Sequence, residues 1–412
     1  MIDRIIIENY RSIGRVVVEL GLLTALVGPN ASGKSNVVDA LRFLAESATS
    51  SLSHAVAVRH GFQAICHWGA SRSLHLGMTI GVSNDQGYGV WWFSLLPTPE
   101  EDGYKVVWEE AVWLPRRSRR AESDALLAEL LKELHRVDTG ETNRTISSTK
   151  RKIPLGFRRG EGSMTVSSKL GALPSVNDNA LLLPLLGDTP LAPLLDEIRS
   201  LAIYNFFPNT LRAPQNPNPI KPMTSAGDNW ASTLKAINRS AWGPELISAL
   251  GRITGDIDDY RITQAGGFLI PEFRHGLAGP QNGGERWLGA AQESDGTLRI
   301  AALLTALFQE PPPSLIGFEE PELSVHPGAL PILFDFLKEA STRSQILFTT
   351  HSPDLLDLMP IDGIRVVERH EGITTVAPVD ERQRDLVRKR LITTSGLLHA
   401  EGLRPEGAHT RG

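Results

Sequence analysis

The chain has 412 residues, 41% hydrophobic and 22% charged, with a formal net charge of −5. That length exceeds one ordinary core and suits two or three packed units. The acidic balance excludes a global nucleic-acid footprint, and a single cysteine, Cys66, excludes an intrachain disulfide and fits a reducing, cytoplasmic setting.

In chain order, Met1–Ile7 lacks a signal-peptide pattern, and no later apolar run approaches the roughly 20 residues of a membrane span, so a cytoplasmic protein without membrane contact is expected. Ile5–Ile7 and Val16–Val18 read as strands around a turn, followed by an apolar strand at Leu22–Val27. A helix runs from Asn36 to about Ala48, with Val37, Val38, Leu41 and Leu44 at helical spacing. Segments between Leu74 and Trp113, such as Leu76–Ile80 and Val90–Phe93, suggest antiparallel strands. Ala121–Val137 reads as one amphipathic helix, and Leu191–Tyr204 as helix then strand. Pro208–Pro222, with five prolines, reads as an extended surface connector; Trp230–Arg252 looks helical and Phe268–Ile270 reads as a strand. From Ser294 the pattern is α/β: helix 295–308, strand 314–318, helix 328–341, strand 345–349, helix 353–358 and strands 364–368 and 373–377.

Gly28-Pro29-Asn30-Ala31-Ser32-Gly33-Lys34-Ser35 fits the P-loop pattern, between a strand and a helix as that motif requires. There the backbone N–H groups can cradle the phosphates of ATP, Lys34 can reach its β- and γ-phosphates, and the Ser35 hydroxyl can ligate Mg²⁺. The strand 314–318 runs into Glu319-Glu320-Pro321-Glu322, carboxylates at the strand end where open α/β sheets bind ligands. Two readings stand: an acidic helix start, or a division of labour in which Glu319 holds Mg²⁺ and Glu320 activates water. Beside an intact P-loop the second is preferred, with Glu322 serving the following turn. His351, after the strand Gln345–Thr349, suits a γ-phosphate sensor, and Ser352-Pro353 suits a helix cap; both roles can coexist. Ser294-Asp295-Gly296-Thr297 reads either as plain helix capping, the simpler account, or as a further anion site.

These four elements in this order resemble the ABC-type ATPases of the SMC/RecF/OLD group, most closely stand-alone OLD-like bacterial ATPases of the AAA family. The likeness runs from Asn9-Tyr10-Arg11-Ser12 through Gly28–Asn36, Ser294–Arg299, Glu319–Pro327 and Thr349–Pro353, over about 1–70 and 285–380. It is weaker through 185–240, where Gly227-Asp228-Asn229 lies near a family turn. The resemblance implies an ABC-type P-loop NTPase head with a mixed sheet, formed by 1–75 and 285–380. An α+β insertion would fill 76–284, with a short basic helix and tail at 381–412. It also implies a homodimer formed on ATP binding, open to higher assembly, in which Ser294 and Gly296 contact the γ-phosphate across the interface. Gln292-Glu293 departs from the leucine-containing lead of that signature. Gln63 falls where a Gln-loop is sought, though a surface glutamine is the plainer reading.

The long heptad helices of SMC-type relatives are absent between Lys34 and Glu319, which excludes a DNA-bridging coiled coil. Residues after Pro378 are too few for the acidic nuclease domain of OLD proteins. Transporter ATPases have a much shorter gap between these motifs. Arg116-Arg117, Arg119-Arg120, Lys150-Arg151-Lys152 and Arg158-Arg159, and a second run at Arg382–Arg390, are either solvated surface or local DNA or RNA contacts. The expected function is an ATP-hydrolysing switch acting on a nucleic acid or a separately encoded effector protein, in DNA repair or antiphage defence. The alternatives are an ATP-binding scaffold with negligible turnover or, less favoured, a transporter subunit.

Overall fold

A computed structural model describes residues 1–67, 75–100, 102–116, 155–160, 162–276 and 286–407. Its contacts divide the chain into two compact units: Met1–Arg11 with Glu46–Arg199, and Ser12–Ala45 with Ser200–Gly412. The helix expected at 121–137 lies outside the described residues, as do Arg117, Arg119, Arg120 and Lys150–Lys152.

The first unit holds an antiparallel sheet. Ile2–Tyr10 pairs with Leu76–Asn84, which pairs with Gly87–Pro97; Tyr104–Pro115, Gly156–Gly160 and Ser163–Val166 follow in that order. The expected antiparallel strands before Trp113 are therefore present. Asn84 Oδ1 closes the first hairpin by accepting from the N–H groups of Gln86 (2.9 Å) and Gly87 (3.2 Å). Trp91, Phe93 and Phe157 are fully buried on this sheet. Between them sits Glu109, also fully buried. It accepts from Trp91 Nε1 (3.1 Å), Arg159 Nε (2.9 Å) and the backbone N–H groups of Leu182 (2.8 Å) and Leu183 (3.0 Å). Beside it Arg158 grips Glu110 with two bonds of 3.0 Å. These two arginines, read in the sequence as either solvated surface or a local nucleic-acid contact, are instead consumed by carboxylates on the neighbouring strand.

The second unit is α/β. Its central strands are parallel and ordered Ile364–His370, Leu23–Val27, Gln345–Thr350, Leu315–Glu319 and Leu201–Tyr204. Their continuous burial matches their apolar sequences, as strands covered on both faces require. Ile373–Pro378 joins antiparallel to Ile364–His370 and then meets Ile13–Glu19, making the sheet mixed. Phe318, Phe348, Leu304, Leu333 and Trp230 lie in one large apolar core. A separate three-stranded sheet is built from Ile257–Ala265, Phe268–His275 and Arg286–Gly289.

Three expectations change. Trp230–Arg252 is two helices, Trp230–Ile237 and Gly243–Thr254, because Ser240–Gly243 turns the chain and Pro244 favours a fresh helix start. Pro208–Pro222 is not a surface connector throughout. Pro208 starts a helix to Arg212 that buries Leu211, and the buried Gln215 amide bonds Gly227 O and Ala231 N–H, each at 2.8 Å. The tail carries two helices, Glu381–Arg388 and Thr394–Ala400. There Arg384 and Arg388 pair with Asp362, Glu381 and Glu406, so much of the second basic run is also neutralised.

Candidate functional site

The P-loop, the acidic turn, His351 and the Ser294–Gly296 segment all fall in the second unit. The strand Leu23–Val27 delivers the chain to Gly28, and the helix Lys34–Thr49 takes it away. Between them Ala31 (φ 60°) and Gly33 (φ 107°) adopt left-handed backbone. Such geometry turns successive N–H groups toward one concavity suited to an anion. Both glycines are fixed by crowding: a Cβ at Gly28 would lie 2.0 Å from Val367 O, and one at Gly33 would lie 2.1 Å from Thr374 Oγ1. Pro29, Asn30, Ala31 and Ser35 are exposed, whereas Ser32 and Lys34 are buried.

Lys34 Nζ donates to Gly28 O (2.9 Å) and Pro29 O (3.0 Å), which folds the side chain over its own loop. Burial lowers its pKa, and the Glu320 carboxylate works in the opposite direction. The Ser32 hydroxyl is shielded from solvent and has no hydrogen-bond partner among the described residues. An orphaned hydroxyl within a nest of N–H groups fits a phosphate ligand, which would supply the missing acceptor. The loop is braced from behind by a hydrogen-bonded chain: Asn36 Nδ2 to Ser12 Oγ (2.6 Å), Ser12 Oγ to Thr374 Oγ1 (2.7 Å), and Thr374 Oγ1 to Ser32 O (2.9 Å).

Glu319 ends the strand Leu315–Glu319, and Glu320 follows in a left-handed conformation (φ 46°). Left-handed backbone costs a residue with a side chain on the order of 1 kcal/mol or more. The neighbouring strand helps hold it, because Glu320 N–H reaches both Thr349 O (3.1 Å) and Thr349 Oγ1 (3.0 Å). Glu320 Oε1 then lies 3.7 Å from His351 Nε2. Glu319 Oε1 accepts from Arg42 at 3.1 Å. With the neighbouring Ser35 helix, this carboxylate is chemically suited to a hard divalent cation such as Mg²⁺.

Glu322, expected to serve only its own turn, does more. Its backbone carbonyl accepts from Val325 N–H (3.0 Å). Its Oε1 accepts from the Thr350 hydroxyl (2.6 Å) and from His351 N–H (3.0 Å), tying the acidic turn to the histidine loop, while Oε2 is shielded and has no partner among the described residues. Ser352 caps the helix Pro353–Leu358 through Leu355 N–H (3.3 Å), so the capping role read from the sequence is present beside His351.

Ser294 accepts from Thr297 N–H (3.1 Å) and meets Thr297 Oγ1 (2.9 Å), capping the helix Asp295–Phe308. The plainer reading of this motif is thus realised. Gly296 is needed locally too: a Cβ there would lie 2.6 Å from Ser324 O, in the turn after Glu322. Arg212 bonds Glu293 O (3.1 Å) and the Asp295 carboxylate. Glu293, the departure from the family lead, is nearly buried and paired to His275 Nε2 (2.7 Å), whose Nδ1 meets Asp256 (2.8 Å). Burial opposes the charge on His275, but hydrogen bonds to Glu293 and Asp256 outweigh it and raise the pKa. Gln63, in the first unit, lies in the short helix Phe62–Ile65 and is exposed, with its N–H 3.5 Å from Asp102 Oδ1.

Sequence reasoning missed Arg42, Thr374, Arg212 and His275. Arg42 alone carried a usable signal, being seven residues beyond Ser35 and so on the same helix face.

Two family models match the chain. One, described as "AAA domain, putative AbiEii toxin, Type IV TA system", matches residues 183–357. The other, described as "AAA ATPase domain", matches residues 1–80. Among solved structures, an SMC head bound to the C-terminal winged-helix domain of ScpA aligns with a TM-score of 0.52 and 13% identity, covering 93% of this chain and 99% of that one. An SMC head with an extended coiled coil from Pyrococcus furiosus gives 0.49 at 13% identity, covering 95% and 99%. The SMC head of Thermotoga maritima gives 0.42 at 13%, covering 92% and 99%. No curated protein matches the sequence. The fold is that of an ABC/SMC-type head, and the AAA matches support a nucleotide-binding function. Among the described residues no helix is long and apolar enough to cross a membrane.

Proposed function

We propose that this chain hydrolyses ATP and uses the cycle as a switch, closing as a homodimer on ATP and acting on a partner protein. The observation that carries the reading is Glu320, held in left-handed backbone by Thr349 with its carboxylate 3.7 Å from His351. Residues 28–36 would hold the triphosphate, with Lys34 leaving its loop carbonyls for the phosphate oxygens. Ser35 and Glu319 would hold Mg²⁺, whose chemistry there is to neutralise charge developing on those oxygens. Glu320 takes the proton of the attacking water as its oxygen bonds to the γ-phosphorus. The bond from that phosphorus to the bridging oxygen breaks, and ADP leaves with inorganic phosphate. His351 orients the water and senses the γ-phosphate. Ser294 and Gly296 of a second copy would complete the phosphate shell.

A protein effector is favoured over a nucleic acid, since Arg158, Arg159, Arg384 and Arg388 are already neutralised. The toxin–antitoxin wording of one matching family supports a defence role over repair.

The test is Glu320→Gln, which keeps size and hydrogen bonding but removes the base. ATP should bind with near wild-type affinity, turnover should fall about 10²–10⁴-fold, and ATP-bound dimers should accumulate. Wild-type turnover would remove Glu320 from the mechanism. A variant that stays monomeric at saturating ATP and micromolar protein would sink the dimer.

A further inference from the structure

Asp39 and Arg42 lie four and seven residues beyond Ser35, so the three side chains leave one face of the helix Lys34–Thr49 in a row. At the far end of the row an Arg42 terminal nitrogen donates to Glu319 Oε1 at 3.1 Å, and the other lies 3.9 Å from Asp39. The Arg42 and Glu319 side chains are 20% and 18% exposed, so water screens this pair less than a surface one. Arg42 Nε is shielded and has no acceptor among the described residues. A guanidinium placed as a simple brace would engage its fork fully; this one is placed with a donor unsatisfied, its charge closest to Glu319 and held more loosely by Asp39.

We propose that Arg42 competes with the divalent cation for Glu319 and so sets the magnesium concentration at which the site fills. The inference rests on the reading of Glu319 as a metal-holding acid. A cation arriving at Glu319 meets a carboxylate that is already neutralised, beside a fixed positive charge that repels it. To bind, it must displace the guanidinium or share the carboxylate. Filling therefore breaks or weakens a tie between the P-loop helix and the strand Leu315–Glu319. Magnesium arrival and the freedom of that helix face become one event.

The probe is Mg²⁺ itself. Affinity of the full chain for a fluorescent, non-hydrolysable ATP analogue is titrated against Mg²⁺ in wild type, Glu319→Gln and Arg42→Gln. Loss of magnesium dependence in Glu319→Gln supports the metal role; unchanged dependence removes that role and this proposal with it. Arg42→Gln is expected to lower the half-effective Mg²⁺ concentration on the order of tenfold, about 1.4 kcal/mol. An unchanged value makes Arg42 a brace, and a higher one makes it a helper of the metal. Either overturns the proposal and leaves the metal role of Glu319 standing. Melting temperature is the second readout. Arg42→Gln should cost more Tm without Mg²⁺ and analogue than with both, and an equal loss in the two conditions also overturns it. Should Arg42→Gln not fold, Arg42→Lys keeps the charge without the fork and should shift the half-effective concentration downward by less; no shift there counts against competition.

Discussion

Glu109 in one compact unit and Glu322 in the other both place carboxylate oxygens out of reach of water, and their surroundings differ. Glu109 is closed on every side by Arg159, Trp91 and two backbone N–H groups. Burial nonetheless raises its pKa, with Arg159 opposing. Glu322 is half finished: Oε1 ties down Thr350 and His351, and Oε2 has no donor. Its unit contains a second open group of this kind in the Ser32 hydroxyl. A closed polar network stabilises a fold; an open one is costly unless something else completes it. The difference separates a carboxylate that completes its own network from one left open beside the candidate site.

The sharpest way to break that contrast is to open the closed network. Glu109→Ala leaves Arg159 without its buried partner and strands three N–H donors. It should cost about 3–5 kcal/mol of stability, read as a large fall in Tm, with ATP affinity of the remaining folded protein unchanged. A small loss would mean that the first unit repacks and that its ion pairs are not its foundation. On the ligand side Lys34→Ala should do the reverse. Tight ATP binding should fall by roughly 100-fold or more, about 2.7 kcal/mol, because the only P-loop cation is gone, while Tm without nucleotide changes little. Wild-type affinity in that variant would overturn the assignment of the loop.

Much of the candidate site was legible in the sequence, and the reason is physical. The proposed phosphate cradle is local: the crowded Gly28, the left-handed Gly33 and Lys34, folded over its own loop, lie within one turn, so their spacing can be read directly. The same holds for Glu319 and Glu320 at a strand end and for the Ser352 cap. Features depending on distant chain were not legible. Thr374 braces Ser32 from across more than 300 positions of sequence, and nothing near it marks that role. Arg158 and Arg159 looked like a basic patch because their partners, Glu109 and Glu110, lie on another strand. The split of Trp230–Arg252 was visible in Gly243-Pro244, yet the apolar spacing on either side outweighed it.

A smaller change tests the open carboxylate. Glu322→Gln keeps an acceptor for Thr350 and His351 but replaces the unpartnered oxygen with an amide. Stability should move by less than about 1 kcal/mol. Turnover should fall about tenfold, since His351 is positioned through this residue, and the change should appear in kcat more than in KM. A change in Tm with unaltered kcat would return Glu322 to a structural role.

The smallest effect is expected at His275. Its pKa lies above the ordinary 6.5; burial works against the shift, and hydrogen bonds to Glu293 and Asp256 prevail. A group whose folded pKa is raised stabilises most when both folded and unfolded states are protonated, that is, below 6.5. The contribution fades as pH climbs through the folded value. The Asp256 partner is half exposed, so screening keeps the effect modest, within about 2 °C of Tm. His275→Gln should thus lower Tm at pH 6 and leave it nearly unchanged at pH 8.5. Glu293 also leads into Ser294, and Arg212 holds the same loop from its other side. If His275 steadies that loop for a second subunit's nucleotide, dimerisation on ATP should weaken in the variant at pH 6 and match wild type at pH 8.5. A loss of Tm that does not vary with pH would make His275 a packing residue and leave Arg212 to hold the Ser294 segment without it.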